Sequence, residues 1–210
     1  LFWISIFLIK MRSKSFSIKI SHRLKPFQKS INVDSDKSLS IRSFLLGSIS
    51  QGISSAKNVL ESEDVFSTIE CLKKLGVKIE KRKSKSYLIY GKGLGSFTAK
   101  KNQKLNFGNS GTLARLLIGI LSTNPDIELN VQGDKSLSKR NMKKLIELMS
   151  NFGAEFLPKN KFNFPLKLIS TEMPIGISYK SGVSAQLKSA VILAGLNSFG
   201  NTEIIETEKS

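Results

Sequence analysis

From residue 30 onward, apolar side chains switch repeatedly between two spacings, every second position over short runs and i, i+3, i+4 over longer ones. A period of two marks a strand with one buried face, and a period near 3.6 marks a helix with an apolar stripe. SINVDSD (30–36) reads as a short strand. KSLSIRSFLLGSIS (37–50) reads as a helix that gathers Ile41, Phe44, Leu45 and Ser48 on one face. SAKNVL (55–60) reads as a strand. SEDVFSTIECLKKLG (62–76) reads as a second helix, with Ser62 at its N-cap, Glu63 and Asp64 in its first turn and Gly76 as its stop. VKIEKR (77–82) and SYLIYG (86–91) follow as a hairpin.

The order then recurs. LNFGNSG (105–111) leads into the helix TLARLLIGILS (112–122), followed by the strand IELNVQG (127–133). A single helix is predicted over 136–153, stopped by Gly153, and AEFLPK (154–159) pairs with FPLKLIS (164–170). A third copy begins with ISYKSGVSAQLKSAVILAGLNSFG (177–200) and enters the strand TEIIET (202–207). Arg42, Arg115 and Lys188 are separated by 73 positions each, and each falls about one turn into a helix. The pattern predicts a mixed α/β (α+β) protein of tandem β-α-β-α-β-β units, the third cut short. A repeat of that length implies pseudo-symmetric packing in place of an open array. The expected organisation is a poorly ordered N-terminal extension over 1–29 and one lobe over 30–210, an incomplete portion of a longer protein.

Composition narrows the function. A hydrophobic content of 40% and a charged content of 23% are those of an ordinary globular protein, but 33 Lys and Arg against 16 Asp and Glu leave a net charge of +17. Such an excess suits polyanions or phosphorylated metabolites. Basic runs such as Lys81-Arg82-Lys83 are scattered and not interleaved with aromatics, which gives a nucleic-acid stripe little support. The single cysteine, Cys71, lies in an apolar-periodic segment and reads as a small core residue. One histidine, His22, leaves no His-based metal cluster or Ser-His-Asp triad to assemble. The apolar opening LFWISIFLIK is too short for a membrane span, which needs about 20 residues.

Chemistry concentrates at helix starts. A helix N-terminus offers unpaired N–H groups and the positive end of the macrodipole. NFGNSGTLAR (106–115) adds Gly108 and Gly111 for close backbone approach, Asn109 and Thr112 as side-chain donors, and Arg115 one turn in. SDKSLSIR (35–42) offers Lys37, Ser38 and Arg42, with Ser38 and Arg42 at i and i+4. GDKSLSKR (133–140) repeats nearly the same string and ends in Arg140, and SGVSAQLK (181–188) offers Ser184 and Gln186. Capping by Ser and Asp accounts for any one of these alone; four at one end of a domain point to a basic floor for several anionic groups.

DKSLSIR, FGNSGTLAR, GDKSLSKR and SAQLKSAVILAGLN, in this order and spacing, together resemble the amino-terminal half of the 3-phosphoshikimate 1-carboxyvinyltransferase (EPSP synthase) family over residues 30–210. LESEDVFSTIECLKKLG also resembles that family's second helix. A sister enzyme acting on UDP-N-acetylglucosamine shares the fold, but typically has a reactive Cys in a later loop with no equivalent here. The resemblance implies a two-lobed inside-out α/β barrel, each lobe made of three such units. It implies transfer of the enolpyruvyl group of phosphoenolpyruvate to the 5-hydroxyl of shikimate 3-phosphate with release of phosphate. Addition and elimination through a tetrahedral intermediate need no metal and no organic cofactor.

Carried over by position, the resemblance implies that Ser38, Arg42, Ser184 and Ala185 bind shikimate 3-phosphate. Asn109, Gly111 and Arg140 bind phosphoenolpyruvate, and Lys37 and Gln186 face both substrates. Arg115 is expected to stand behind these. Asn141 departs from the Pro found after the matching Arg in many relatives, and is expected to alter the local helix start. The family's acid/base carboxylates lie in the other lobe, so no catalytic residue is expected in this chain, which alone should be inactive. The complete protein is expected to be a cytoplasmic monomer with neither a membrane nor a nucleic-acid partner.

Overall fold

Fifteen short elements, alternating for most of the chain between helix and strand, make up residues 35–207, the part that the computed structural model describes. The N-terminal extension expected over 1–29, and residues 30–34 of the first expected strand, lie outside the described residues. Helix α1 (Lys37–Ile49) runs into β1 (Gln51–Ala56), followed by α2 (Glu63–Lys74), β2 (Lys78–Lys81) and β3 (Tyr87–Lys92). These strands form an antiparallel sheet ordered β1-β3-β2. Next come β4 (Gln103–Asn106), α3 (Gly111–Ser122), β5 (Glu128–Gln132), a single 3-10 turn (Leu137–Lys139), α4 (Lys143–Asn151), β6 (Glu155–Leu157) and β7 (Leu166–Ile169). Their sheet is ordered β4-β5-β7-β6, with β4 parallel to β5 and the other pairs antiparallel. Last are β8 (Ser178–Ser181), α5 (Ala185–Gly195) and β9 (Glu203–Glu206), with β8 and β9 parallel.

Helix α3 organises the core. It is apolar all round, as expected of a helix surrounded by protein, and every residue in it is buried except Arg115. It packs against α1, α4 and α5. Its approach to α5 is so close that a Cβ on Gly119 would lie 2.6 Å from the Ala190 carbonyl oxygen and 3.0 Å from the Ala190 Cα. The stripe read on α1 is correct: Ile41, Phe44, Leu45 and Ser48 are fully buried. The stops at Gly76 and Gly153 are also correct, with φ of +86° and +108°. The two hairpins form as expected, and Cys71 is buried in the core.

Three expectations on secondary structure need correction. The strand after α1 occupies Gln51–Ala56, not 55–60, because it starts one residue after the helix and is set by pairing of Gln51 with Lys92. Asn58, with φ of +54°, has already left the strand. The helix expected over 136–153 is split: the 3-10 turn ends at Arg140, whose φ of −78° and ψ of 135° are extended, and α4 starts at Lys143. Asn141 takes part in that break, its Oδ1 accepting from the Lys143 N–H at 2.8 Å. Ser62 does stand at the N-cap of α2, but its hydroxyl is buried and makes no hydrogen bond.

The spacing also shifts. The N-caps Asp36, Ser110 and Ser184 lie 74 positions apart, not 73. Each accepts from the N–H three residues on, at Leu39, Leu113 and Leu187. Arg42, Arg115 and Lys188 therefore sit at successively earlier positions in their helices. Among the described residues, no helix is long and apolar enough to cross a membrane.

Candidate functional site

The turn from β4 into α3 is fixed from several sides. The Asn106 Oδ1 accepts from the Gly108 N–H at 3.0 Å, and Gly108 adopts φ of +57°, which favours a residue without a Cβ. The Gly108 carbonyl accepts from the Asp134 N–H at 2.9 Å, tying this turn to the one after β5. Asp134 in turn accepts from the Leu137 N–H at 2.7 Å and starts the 3-10 turn that delivers Arg140. The Arg140 Nη2 donates to the Asn109 Oδ1 at 2.9 Å. Two loops far apart in sequence are thereby joined at a guanidinium group.

A second guanidinium lies alongside. The Arg115 Nη1 donates to the Gly111 carbonyl at 3.1 Å and to the Gln186 Oε1 at 2.8 Å. The Gln186 Nε2 donates to the Thr112 Oγ1 at 3.0 Å, so the starts of α3 and α5 are bound together. Gly111 lies between the two arginines: a Cβ there would stand 2.8 Å from the Arg115 Nη1 and 2.9 Å from the Arg140 Nη1. Burial, and secondly the charge of Arg140, push the Arg115 pKa down.

The start of α1 reaches the same helix. The Arg42 Nη1 donates to the Ser38 carbonyl and its Nη2 to the Ser189 Oγ on α5, both at 3.4 Å. A cleft of about 160 Å³ opens beside it, lined mainly by Leu45 and Leu46 of α1, Leu116 of α3 and Ile192 of α5. Its walls are apolar apart from Arg42 and Ser189 at the rim.

Among the described residues, none of Arg42, Arg115 and Arg140 makes an ion pair. The fourth described arginine, Arg82 on the outer hairpin, sits 2.9 Å from Glu80. Three guanidinium groups held by carbonyls, a hydroxyl and two side-chain amides, with no carboxylate, retain their charge for something else. Planar guanidinium groups match phosphate and carboxylate geometry in a bidentate way.

The structure thus brings Asn109, Gly111, Arg140 and Gln186 together around Arg115, and Ser38 with Arg42 against α5. Lys37 is not linked to either group; its Nζ lies 2.9 Å from Asp64 Oδ2 on α2. Ser184 caps α5, accepting from the Leu187 N–H at 3.4 Å, and Ala185 is the exposed first residue of that helix. Asn109 and Thr112, expected as donors, act in these bonds as acceptors, because the groups facing them carry only protons to give. Lys188, the expected counterpart of Arg42 and Arg115, pairs with Glu206. The bonds of Arg115, Thr112 and Ser189 to neighbouring helices were not predicted; the one sequence signal was Arg115 as the sole charge in an apolar run.

Fold and site together define a mixed α/β protein with unneutralised arginines early in α1 and α3 and after the 3-10 turn. A family model described as EPSP synthase (3-phosphoshikimate 1-carboxyvinyltransferase) matches residues 22–210. The chain is 40% identical over 189 residues to a 3-phosphoshikimate 1-carboxyvinyltransferase of Paramagnetospirillum magneticum, covering 90% of this chain and 42% of that protein. It is likewise 40% identical over 181 residues to that of Bacillus subtilis, covering 86% and 42%. A solved EPSP synthase from Acinetobacter baumannii superposes with a TM-score of 0.79 at 35% identity, covering 86% of this chain and 40% of that one. The chain belongs to the EPSP synthase family. It spans about two fifths of the length of the relatives it matches.

Proposed function

We propose that this chain is the substrate-binding portion of an enzyme that transfers the enolpyruvyl group of phosphoenolpyruvate to the 5-hydroxyl of shikimate 3-phosphate, releasing phosphate. Family membership supports the reaction. The observation that carries the site is the group of three arginines without carboxylate partners at the starts of α1 and α3 and after the 3-10 turn. Both substrates are multiply anionic, and charge-assisted hydrogen bonds to phosphate are about twice as strong as neutral ones.

In this scheme Arg140, steadied by Asn109, grips the phosphate of phosphoenolpyruvate beside Gly111, where a missing Cβ leaves room for the Arg115 and Arg140 guanidinium groups. Ser38, Arg42, Ser184 and Ala185 hold shikimate 3-phosphate where Arg42 links α1 to Ser189 of α5. Gln186 lies between the two. Lys37, whose side chain is half-exposed, exchanges Asp64 for substrate. Among the described residues, no carboxylate pairs with Arg42, Arg115 or Arg140. The 74-position spacing of the N-caps supports tandem β-α-β-α-β-β units in an inside-out barrel lobe.

A two-dimensional NMR titration of the ¹⁵N-labelled chain tests this. Shikimate 3-phosphate is expected to shift Ser38, Arg42, Ser184 and Ala185, and phosphoenolpyruvate to shift Asn109, Gly111 and Arg140. Shifts spread over the lysine-rich surface, with none at these residues, would overturn it.

A further inference from the structure

We propose that Arg115 is a positioning residue which, together with Thr112, turns the Gln186 carboxamide so that it meets ligand as a hydrogen-bond donor. A glutamine amide presents an acceptor on one side and two donors on the other, and the two faces have nearly the same shape. Left alone it can turn over and offer either. A guanidinium has five donors and no acceptor. With the Arg115 Nη1 at 2.8 Å, only the Oε1 can face it. The Nε2 is then committed to the other side, where the Thr112 Oγ1 takes one of its protons at 3.0 Å. Its second proton has no protein acceptor among the described residues and is the one offered to an anion.

The supports are themselves fixed. Arg115 is anchored to the Gly111 carbonyl, and Thr112 is buried and β-branched, which restricts its side-chain rotation. Burial and the neighbouring Arg140 push the Arg115 pKa down from a very high starting value, yet arginine keeps its charge at neutral pH. The donor that orients Gln186 is therefore permanent. The same turn that seats Arg140 against Asn109 seats Arg115 against Gln186, so the amide and the proposed phosphate grip form one unit. This proposal rests on the functional reading above for the identity of the ligand, but not for the orientation of the amide.

The test follows the Gln186 side-chain NH₂ correlation in the ¹⁵N-labelled 210-residue chain. Without ligand, the wild-type pair is expected to be widely split in proton shift and slow to exchange. Arg115→Met and Thr112→Val should each move it toward the position of a free glutamine, while backbone correlations in the second half of α3 and α5 stay in place. Thr112→Val carries the test if Arg115→Met does not fold. With phosphoenolpyruvate, Arg115→Met should weaken binding about tenfold, the order expected for one lost bond involving a charged group. Arg115→Lys should recover most of that loss. Gln186→Glu, which keeps a partner for Arg115 but lacks the outward N–H, should bind as poorly as Arg115→Met. A Gln186 pair identical in wild type, Arg115→Met and Thr112→Val overturns the positioning role. An ordered pair that phosphoenolpyruvate does not move overturns the functional reading and leaves the orientation standing.

Discussion

Gly111 shows how much one missing methyl can hold open. An alanine there would place its Cβ within 3 Å of both the Arg115 and the Arg140 Nη1 atoms, so both guanidinium groups would have to give way. Alanine is also a better helix former than glycine by about 1 kcal/mol, and Gly111 is the first residue of α3. Gly111→Ala is therefore expected to leave thermal stability unchanged or slightly raised while weakening phosphoenolpyruvate binding several-fold; a calorimetric melt and an NMR titration separate the two. Cys71 behaves oppositely, as a residue of the core. Burial pushes its thiol from 9.0 up to about 12, so the fold keeps the neutral form that the unfolded chain loses. Its contribution is complete below pH 9 and is lost as pH rises toward 12, about 4 kcal/mol in all at 1.36 kcal/mol per unit. Melting temperature is expected to fall from pH 8 to pH 10, and to fall less in Cys71→Ala. The burial of Cys71 was legible in its apolar period. The Lys37–Asp64 pair was not, because nothing local says which of several carboxylates a lysine will find.

At the scale of elements, the Asp and Ser caps of the α-helices divide into three that bond and one that does not. Asp36, Ser110 and Ser184 each take the N–H three residues on. Ser62, equally good as a cap by type, leaves its hydroxyl unpaired. Ser110→Ala is expected to cost about 1 kcal/mol, or about 2–4 °C in melting temperature for a chain of this size. Ser62→Ala is expected to cost nothing measurable, since the buried hydroxyl has no bond to lose; parallel melts decide between the two. Long helices were legible because burial of α1 follows its apolar stripe and α3 is one nearly unbroken apolar run. The position of β1 was not, because QGISSA has little strand propensity and pairs where β3 places it. The break at Arg140 was hidden for a related reason. SLSKRNMKKLIELMSNF has no proline or glycine, and Asp134 starts the 3-10 turn and Asn141 the following helix by side-chain bonds that composition does not reveal.

For the molecule as a whole, +17 invites two kinds of partner that respond to salt differently. A protein that spreads its lysines along a polyanion loses about 10³–10⁵ in affinity between 50 and 200 mM salt when 6–10 phosphates are contacted. Small phosphorylated ligands that meet a few arginines should lose much less than that. Saturating shikimate 3-phosphate and phosphoenolpyruvate should also raise the unfolding free energy, by about 2.7 kcal/mol at a hundred times the dissociation constant. Thermal shifts measured at both salt levels test this; no shift with either ligand would count against the site. The three arginines were visible in three short strings. Their joining was not, since the Arg115–Gln186 bond spans 71 residues.

The tight crossing at Gly119 and Ala190 makes that bond depend on a contact buried beneath it. Gly119 lies one helical turn, about 6 Å, below Arg115. A methyl at 119 would act as a wedge driven between two beams near their joint, prising apart an amide and a guanidinium it never touches. The burden on that hidden position is thus recognition as well as packing.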